Sequence, residues 1–217
     1  MKTPYSIALF DLDGTVNESH RGVTRCVAYA IEKMGFPPLP METLKKFVGP
    51  PMMYSFPKFC GMTQEESQKA LDLFHSVYDH DGIYENSVFP GIRELWKDLR
   101  NAGMKVAVAT SKPQSAADEV VRYFGLTELV DFVSGAYEDD RPHTKADLIL
   151  KACRNFQIAP ENAVMVGDTQ FDAAGAQGAK THFIGVLYGY GSREEMEQYG
   201  AHVFASTVEE LHALLLP

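Results

Sequence analysis

The 217-residue chain has few cysteines and fewer basic than acidic residues, and each shortage excludes a class of protein. Its three cysteines, Cys26, Cys60 and Cys153, are odd in number and widely separated, and no CxxC pair occurs. We therefore expect neither a disulfide framework nor a zinc site, and a reducing compartment, the cytoplasm, is predicted. The 20 lysines and arginines are outnumbered by 29 aspartates and glutamates, so the net charge is −9. This charge argues against nucleic acid as a partner.

Long hydrophobic runs and two common nucleotide-binding motifs are also missing. No stretch is long enough to span a bilayer, and the first apolar run meets Asp11 too soon for a signal peptide, so no membrane partner is expected. The phosphate-binding patterns GxxxxGKS and GxxxxGKT do not occur. Gly189 and Gly191 are followed by Glu194, where the dinucleotide-binding fingerprint needs a third glycine.

Short apolar runs that alternate with helical patterns are what the chain does contain. One helical pattern starts at Pro113 and stops at Gly125, another is capped by Thr144, and Ser206 with Glu209 is a capping-box pattern for the last helix. The runs are nearly continuous, which is typical of parallel strands covered on both faces; they are residues 7–10, 106–109, 163–166 and 182–186. This alternation predicts an α/β fold with a doubly wound, Rossmann-like parallel sheet.

Residues 16–84 interrupt that alternation with helical patterns alone. One pattern ends at Gly35 and the next begins after Thr63, and no strand-like run lies between them. We therefore predict an all-helical cap over residues 16–84, inserted into a core formed by residues 1–15 and 85–217.

Aspartates follow two of the predicted strands at their carboxyl ends, where open α/β sheets bind ligands. Asp11 and Asp13 are two residues apart, so both side chains can face one site. Asp168 and Asp172 follow the run 163–166, and a loop that leads into a helix would bring both to one face. A turn explains the first pair and helix capping explains either member of the second. Together the four carboxylates favour a Mg²⁺ site.

Hydroxyl groups and a lysine stand at two further positions suited to an anion. Thr110 and Ser111 lie where a predicted strand meets the next helix, and free backbone N–H groups there can bind phosphate, although a plain N-cap fits equally well. Lys145 is in the first turn of a predicted helix, where a cation opposes the helix dipole. A phosphate partner would explain this lysine, while simple exposure is the commoner fate of a lysine.

These residues resemble the four motifs of the haloacid dehalogenase-like hydrolase superfamily. The match runs in order through the residues 11–15, Thr110, Lys145 and Gly167-Asp168 with Asp172, and the helical insert lies where that superfamily has its cap. The dehalogenases of the superfamily lack the second aspartate, Asp13, so halide removal is not expected. The phosphatases resemble this chain at Thr15, where the sugar phosphomutases often have valine.

A subgroup is indicated by the cap. Residues 47–51 resemble the cap loop of phosphoglycolate phosphatase-like members, which makes Gly49 a candidate for substrate binding. Residues 20–58 carry six lysines and arginines against two glutamates, and Arg21 is a second candidate. Such a basic region could attract a small phosphorylated acid. A solvated helix face would explain the same charges.

The resemblance implies a Mg²⁺-dependent phosphatase that acts on a small phosphorylated metabolite. Asp11 would attack phosphorus and form an aspartyl-phosphate, and Asp13 would serve as general acid and then as general base. Asp172 would orient Lys145 or a water on the metal. The resemblance also implies that Mg²⁺ is bound by Asp11, Asp168 and the backbone carbonyl of Asp13. It implies that phosphate is bound by Thr110, Ser111 and Lys145.

Several alternatives stay open at the level of sequence. The third motif often reads Lys-Pro, and here Arg141-Pro142 stands in that place, so Arg141 rivals Lys145 as the cation for phosphate. A sugar phosphomutase, a nucleotidase and a pyrophosphatase of the same superfamily are alternative functions. A phosphoacceptor signalling module is an alternative from another class, because such domains also combine a strand-end aspartate, a hydroxyl and a lysine.

Overall fold

The computed structural model describes residues 4–137 and 143–217. In those two ranges it contains six strands and ten α-helices. The strands are β1 (Ile7–Phe10), β2 (Lys105–Pro113), β3 (Phe132–Ala136), β4 (Ala163–Gly167), β5 (His182–Val186) and β6 (Phe204–Ala205). The helices are α1 (His20–Lys33), α2 (Met41–Leu44), α3 (Met52–Cys60), α4 (Gln64–Tyr78), α5 (Ile92–Asn101), α6 (Gln114–Tyr123), α7 (Lys145–Asn155), α8 (Gln170–Ala179), α9 (Arg193–Glu197) and α10 (Val208–Leu215).

The six strands form one parallel sheet in the order β3-β2-β1-β4-β5-β6. β1 lies near the centre, where Phe10 is in register with Val108 of β2 and Val166 of β4. The chain order 1-2-3 on one side and 4-5-6 on the other places a reversal beside β1, where doubly wound sheets bind ligands. The predicted fold class is confirmed.

Both faces of the sheet are covered, which explains why its strands are apolar without alternation. Ile7 and Leu9 of β1 pack into a cluster with residues of α7 and α8, whereas Phe10 faces the opposite side and contacts Trp96 of α5 at 5.4 Å between ring centroids. All four of these side chains are fully buried. Each such burial contributes about 1.5–3 kcal/mol to folding.

Helices α1 to α4 lie in the chain between β1 and the remaining strands. α1 approaches the 3-10 turn Gly82–Tyr84 closely at Gly22, because a Cβ on Gly22 would lie 1.9 Å from the carbonyl oxygen of Gly82. The chain leaves and returns at neighbouring positions, since Glu18 N donates to Ser87 O at 2.7 Å. The division into a cap of residues 16–84 and a core stays a prediction.

One helix begins a residue later than the sequence pattern suggests. Ser206 is predicted as the N-cap of α10, but the side chain that accepts a backbone hydrogen bond is that of Thr207, from Glu210 N at 3.2 Å. The prediction is wrong because Ser206 with Glu209 and Thr207 with Glu210 both fit the capping-box spacing. In the two described ranges, no helix has both the length and the apolar character needed to cross a bilayer.

Candidate active site

Three aspartates from separate parts of the chain converge at the carboxyl edge of the sheet. Asp11 follows β1, Asp168 follows β4, and Asp172 lies in the first turn of α8. One carboxylate oxygen of each lies within 4.8 Å of those of the other two. All three residues are buried, with at most 2% of their surface exposed. Of the four aspartates that the sequence singles out, the structure brings these three together.

Asp168 is fixed by the loop after β1 and by the loop after β5. Its Oδ1 accepts a hydrogen bond from Thr15 Oγ1 at 3.1 Å, and its Oδ2 accepts one from Tyr190 N at 2.8 Å. Gly14 has a φ of +90°, and a Cβ there would lie 2.2 Å from Asp168 Oδ2. A glycine is therefore required at position 14 by both the backbone conformation and the space beside the carboxylate.

Lys145 sits between two of the aspartates. Its Nζ lies 2.9 Å from Asp11 Oδ1 and 2.7 Å from Asp172 Oδ1, and it donates a hydrogen bond to Ala109 O at 3.2 Å. Burial lowers the pKa of this ammonium, but Asp11 and Asp172 together outweigh burial and leave the pKa of Lys145 raised. The lysine is therefore protonated, and the unfavourable helix dipole is compensated by these carboxylates.

The charges of the cluster do not balance. Burial raises the pKa of Asp11 to about 6, because the neighbouring Lys145 only partly offsets it and Asp172 raises it further. Burial and the carboxylates of Asp172 and Asp11 also raise the pKa of Asp168 well above its ordinary value. Three carboxylates face one ammonium, which leaves two negative charges when all are ionised. An all-oxygen donor set with this excess charge fits a hard divalent cation such as Mg²⁺.

Asp13 is not part of this three-aspartate cluster and pairs with a second buried lysine. Asp13 Oδ2 lies 3.1 Å from Lys112 Nζ, which donates a hydrogen bond to the hydroxyl of Tyr78 at 2.7 Å. Asn17 Nδ2 also donates to Asp13 Oδ1 at 3.4 Å. Tyr78 of α4 is thereby linked to Asp13 through the ammonium group of Lys112. Sequence reasoning missed Lys112 and Tyr78, although Lys112 stands directly after the two hydroxyl residues it singled out.

The remaining predicted ligands of phosphate lie near the carboxyl end of β2. Thr110 is buried in β2, and its Oγ1 accepts a hydrogen bond from Lys112 N at 3.3 Å. Ser111 is half-buried and lines the cavity that begins at Asp13. Arg141, the rival of Lys145, lies outside the described residues.

The cavity beside Asp13 has a volume of about 780 Å³ and lies between the helical segment and the sheet. Gly49, a candidate for substrate binding, lines it, whereas Arg21, the second candidate, is exposed on α1 and is not among the described residues of the lining. The segment and the core also touch directly, because the ring of Tyr54 in α3 meets that of Phe171 in α8 at 5.2 Å.

Residues 8–186 match the family model described as haloacid dehalogenase-like hydrolase. The chain belongs to this family. The matched residues include all four aspartates and Lys145, so the resemblance drawn from the motifs is confirmed.

Curated relatives of this haloacid dehalogenase-like chain carry different names. A 5'-nucleotidase of Pseudomonas aeruginosa is 32% identical, and the alignment covers 97% of this chain and 96% of the relative. The tyrosine-protein kinase PtkA of Mycobacterium tuberculosis is 33% identical, with 96% of this chain and 72% of PtkA covered. A phosphoglycolate phosphatase of Nitrosospira multiformis is 25% identical, with 98% and 96% covered.

A solved structure agrees with these relatives. The crystal structure of a predicted phosphatase from Clostridium acetobutylicum superposes with a TM-score of 0.93 at 35% identity, and 98% of each chain is covered. The chain is accordingly a haloacid dehalogenase-like phosphatase of the phosphoglycolate phosphatase-like group, which hydrolyses phosphoric monoesters.

Proposed function

We propose that the chain hydrolyses a small phosphomonoester with Mg²⁺ through an aspartyl-phosphate on Asp11. The observation that supports this most is the buried cluster of Asp11, Asp168 and Asp172 around Lys145 at the carboxyl edge of the sheet. Asp11, Asp168 and the backbone of Asp13 would hold Mg²⁺, which would neutralise charge on the phosphoryl oxygens.

In the first half of the reaction, a carboxylate oxygen of Asp11 bonds to phosphorus while the ester bond to the alcohol breaks. Asp13 gives its proton to the departing alkoxide. In the second half, Asp13 takes a proton from water, and that water attacks the phosphorus of the aspartyl-phosphate. Inorganic phosphate leaves, and the carboxylate of Asp11 is regenerated.

Proton transfer supplies only part of the acceleration. General acid–base help is worth about 10²–10⁴-fold, whereas phosphomonoester hydrolysis needs up to ~10²¹-fold. Fixed positive charge would supply much of the remaining acceleration. Lys145 already contacts the proposed nucleophile, Asp11, and also pairs with Asp172. Thr110 and Ser111 would add hydrogen bonds to the phosphoryl group. Asp172 would keep Lys145 in place.

The helical segment has its own part in this proposal. As a cap over residues 16–84, it would enclose the substrate against the sheet and exclude water from the aspartyl-phosphate until the alcohol has left. Gly49, which lines the cavity, belongs to the surface that would contact the substrate.

The substitution Asp11→Asn tests the proposal because it removes the nucleophile and keeps the shape of the side chain. We expect phosphate release to fall by at least 10³-fold. Phosphate release would be measured with and without Mg²⁺, beside circular dichroism and thermal unfolding to show that the fold is intact.

Asp72→Asn is the matched control, because Asp72 is an exposed aspartate of α4, and its activity should equal that of the wild type. Retained activity in Asp11→Asn would refute the role of Asp11. Phosphate that returns to a sugar, or stays on the protein, would identify a mutase or a signalling module instead.

A further inference from the structure

The cavity beside Asp13 is larger and more apolar than a two-carbon substrate requires. Its volume of about 780 Å³ lies within the roughly 300–1,000 Å³ of pockets that enclose drug-sized ligands. Apolar side chains from both the helical segment and the core dominate its wall; among them are Phe47, Met53, Leu71, Phe74, Ala116 and Phe171.

The charged groups of the wall are already paired. Lys112 is held by Asp13, and Lys145 is held by Asp11 and Asp172. His75 lies 3.1 Å from Asp79. The described wall therefore places its two ammonium groups at the phosphate end, beside the aspartates, and most of the described lining beyond them is apolar. Beyond Lys112 and Lys145, a second anionic group on the substrate, such as the carboxylate of phosphoglycolate, would lose its hydration and would meet no further lysine or arginine among the described residues of the lining.

The wall of the cavity also carries aromatic rings and methionine side chains. Phe74 and Tyr78 of α4 stack with ring centroids 4.8 Å apart and an angle of 17° between their planes. Met52 and Met53 lie at the start of α3 on the same cavity. Aromatic rings prefer offset stacking or edge contacts with other rings, and methionine sulfur packs well against them.

We propose that this cavity holds the leaving group of the substrate and that this group carries a planar aromatic ring. The inference rests on the proposed function, because the phosphate end is taken to be the aspartate cluster. A simple aryl group and a nucleobase are two sources of such a ring, and both would be attached through an alcohol whose oxygen faces Asp13.

The test compares four esters of primary alcohols, so that the reactivity of the leaving group varies little: benzyl phosphate, adenosine 5'-monophosphate, ethyl phosphate and phosphoglycolate. Phosphate release is measured with Mg²⁺, and kcat and KM are determined for each. We expect kcat/KM for benzyl phosphate or the nucleotide to exceed that for ethyl phosphate and phosphoglycolate by at least tenfold. A higher value for the nucleotide than for benzyl phosphate would assign the ring to a base, and the reverse order to an aryl group.

Ala174→Leu fills the cavity from α8, where Ala174 lines it. This variant should lower kcat/KM for the ring-bearing ester at least tenfold, mainly through KM, and change that for ethyl phosphate less than twofold. Gln177→Leu adds the same side chain at an exposed position of α8 outside the described lining, and it should behave as the wild type.

A second pair of substitutions shortens a leucine side chain instead of adding one, and it serves if Ala174→Leu folds poorly. Leu71 lines the cavity and Leu73 does not, and both are half-buried leucines of α4. Leu71→Ala should raise KM for the ring-bearing ester several-fold, and Leu73→Ala should leave it unchanged.

Three results would overturn the inference, and they differ in what else they overturn. The aromatic site is refuted if kcat/KM for ethyl phosphate or phosphoglycolate equals that for the ring-bearing esters, or if all four esters respond equally to Ala174→Leu. In both cases the proposed phosphatase activity is unaffected. If none of the four esters releases phosphate, the proposed function fails with it.

Discussion

Asp11 is a side chain whose ionised form the fold disfavours. Its carboxylate is buried beside two others, and Lys145 offsets only part of the cost, so its pKa is raised to about 6 from 3.8. One pKa unit corresponds to about 1.4 kcal/mol. The shift therefore amounts to roughly 3 kcal/mol against folding once Asp11 is ionised. In the proposed function, the same carboxylate would bind Mg²⁺ and attack phosphorus.

This cost predicts how stability depends on pH without metal. Between about pH 4 and pH 6 the native state binds more protons at Asp11 than the unfolded state, so the free energy of unfolding falls as pH rises through that window. Asp11→Asn removes this titration. Its stability relative to the wild type should increase with pH by up to roughly 3 kcal/mol. Urea unfolding in EDTA from pH 4.5 to 7.5 measures it.

The control for the pH series is again Asp72→Asn, whose profile should follow that of the wild type. A difference between Asp11→Asn and the wild type that stays constant over this range would contradict the raised pKa.

At the scale of residues, sequence reasoning finds the groups that stand at strand ends and misses those joined by folding alone. Asp11, Asp168 and Lys145 were predicted because each has a local signal beside a predicted element. Tyr78 and Lys112 are 34 positions apart, and Tyr78 belongs to a helix that is otherwise packed like any amphipathic helix. No local pattern marks a contact between a helix of the insert and the end of β2.

Among the elements, the start of α10 offers a direct comparison of the two capping patterns. Thr207 accepts the N–H of Glu210 and is the N-cap in the structure, whereas Ser206 donates its backbone N–H to the Glu210 carboxylate at 2.7 Å. Thr207→Ala should lower the free energy of unfolding by about 1 kcal/mol, because one N-terminal N–H loses its partner. Urea unfolding measures the change.

Ser206→Ala is the matched substitution one residue earlier, and it should change stability by less than about 0.5 kcal/mol. If Ser206→Ala were the more destabilising of the two, the N-cap would be Ser206.

The strands that escaped prediction are those at the edges of the sheet. β3 contains Ser134 and Gly135, which break the apolar run, and Ser134 is tolerated in the interior because its hydroxyl donates to Leu148 O at 2.8 Å. β6 has only two residues, too few to form a recognisable pattern. The four central runs were predicted because their burial on both faces leaves a continuous apolar signature.

For the whole molecule, the excess of negative charge at one buried point predicts a linkage between Mg²⁺ and global stability. An ion that binds the native state alone adds about 2.7 kcal/mol to the free energy of unfolding at 100 times its Kd. We therefore expect thermal or urea unfolding at pH 7.5 to shift upward with Mg²⁺, compared with NaCl at equal ionic strength. Asp168→Asn removes one of the three carboxylates and should abolish most of this shift.

An equal response to Mg²⁺ in Asp168→Asn and the wild type would show that the ion binds elsewhere. Asp98→Asn, at an exposed aspartate of α5 remote from the cluster, should keep the full response.

The architecture followed from the sequence, whereas the cavity did not. The alternation of apolar runs with helical patterns is a property of consecutive residues, so it predicts the doubly wound sheet and the position of the helical insert. The cavity is enclosed by segments as far apart as Phe47 and Phe171, and its size depends on how α3 and α4 rest on the sheet. That packing has no counterpart in local spacing.

The paired backbone at the base of the helical segment has a consequence for how such a chain can change over generations. Glu18 N donates a hydrogen bond to Ser87 O, and Phe89 N donates one to Val16 O at 3.0 Å. The segment that leads into the helical region is therefore hydrogen-bonded to the segment that leads out of it. A stretch bounded in this way can be lengthened, shortened or exchanged by recombination while its two junctions stay in place. The aspartates at the carboxyl edge of the sheet would then keep their positions, and substrate preference would change without a change in these residues.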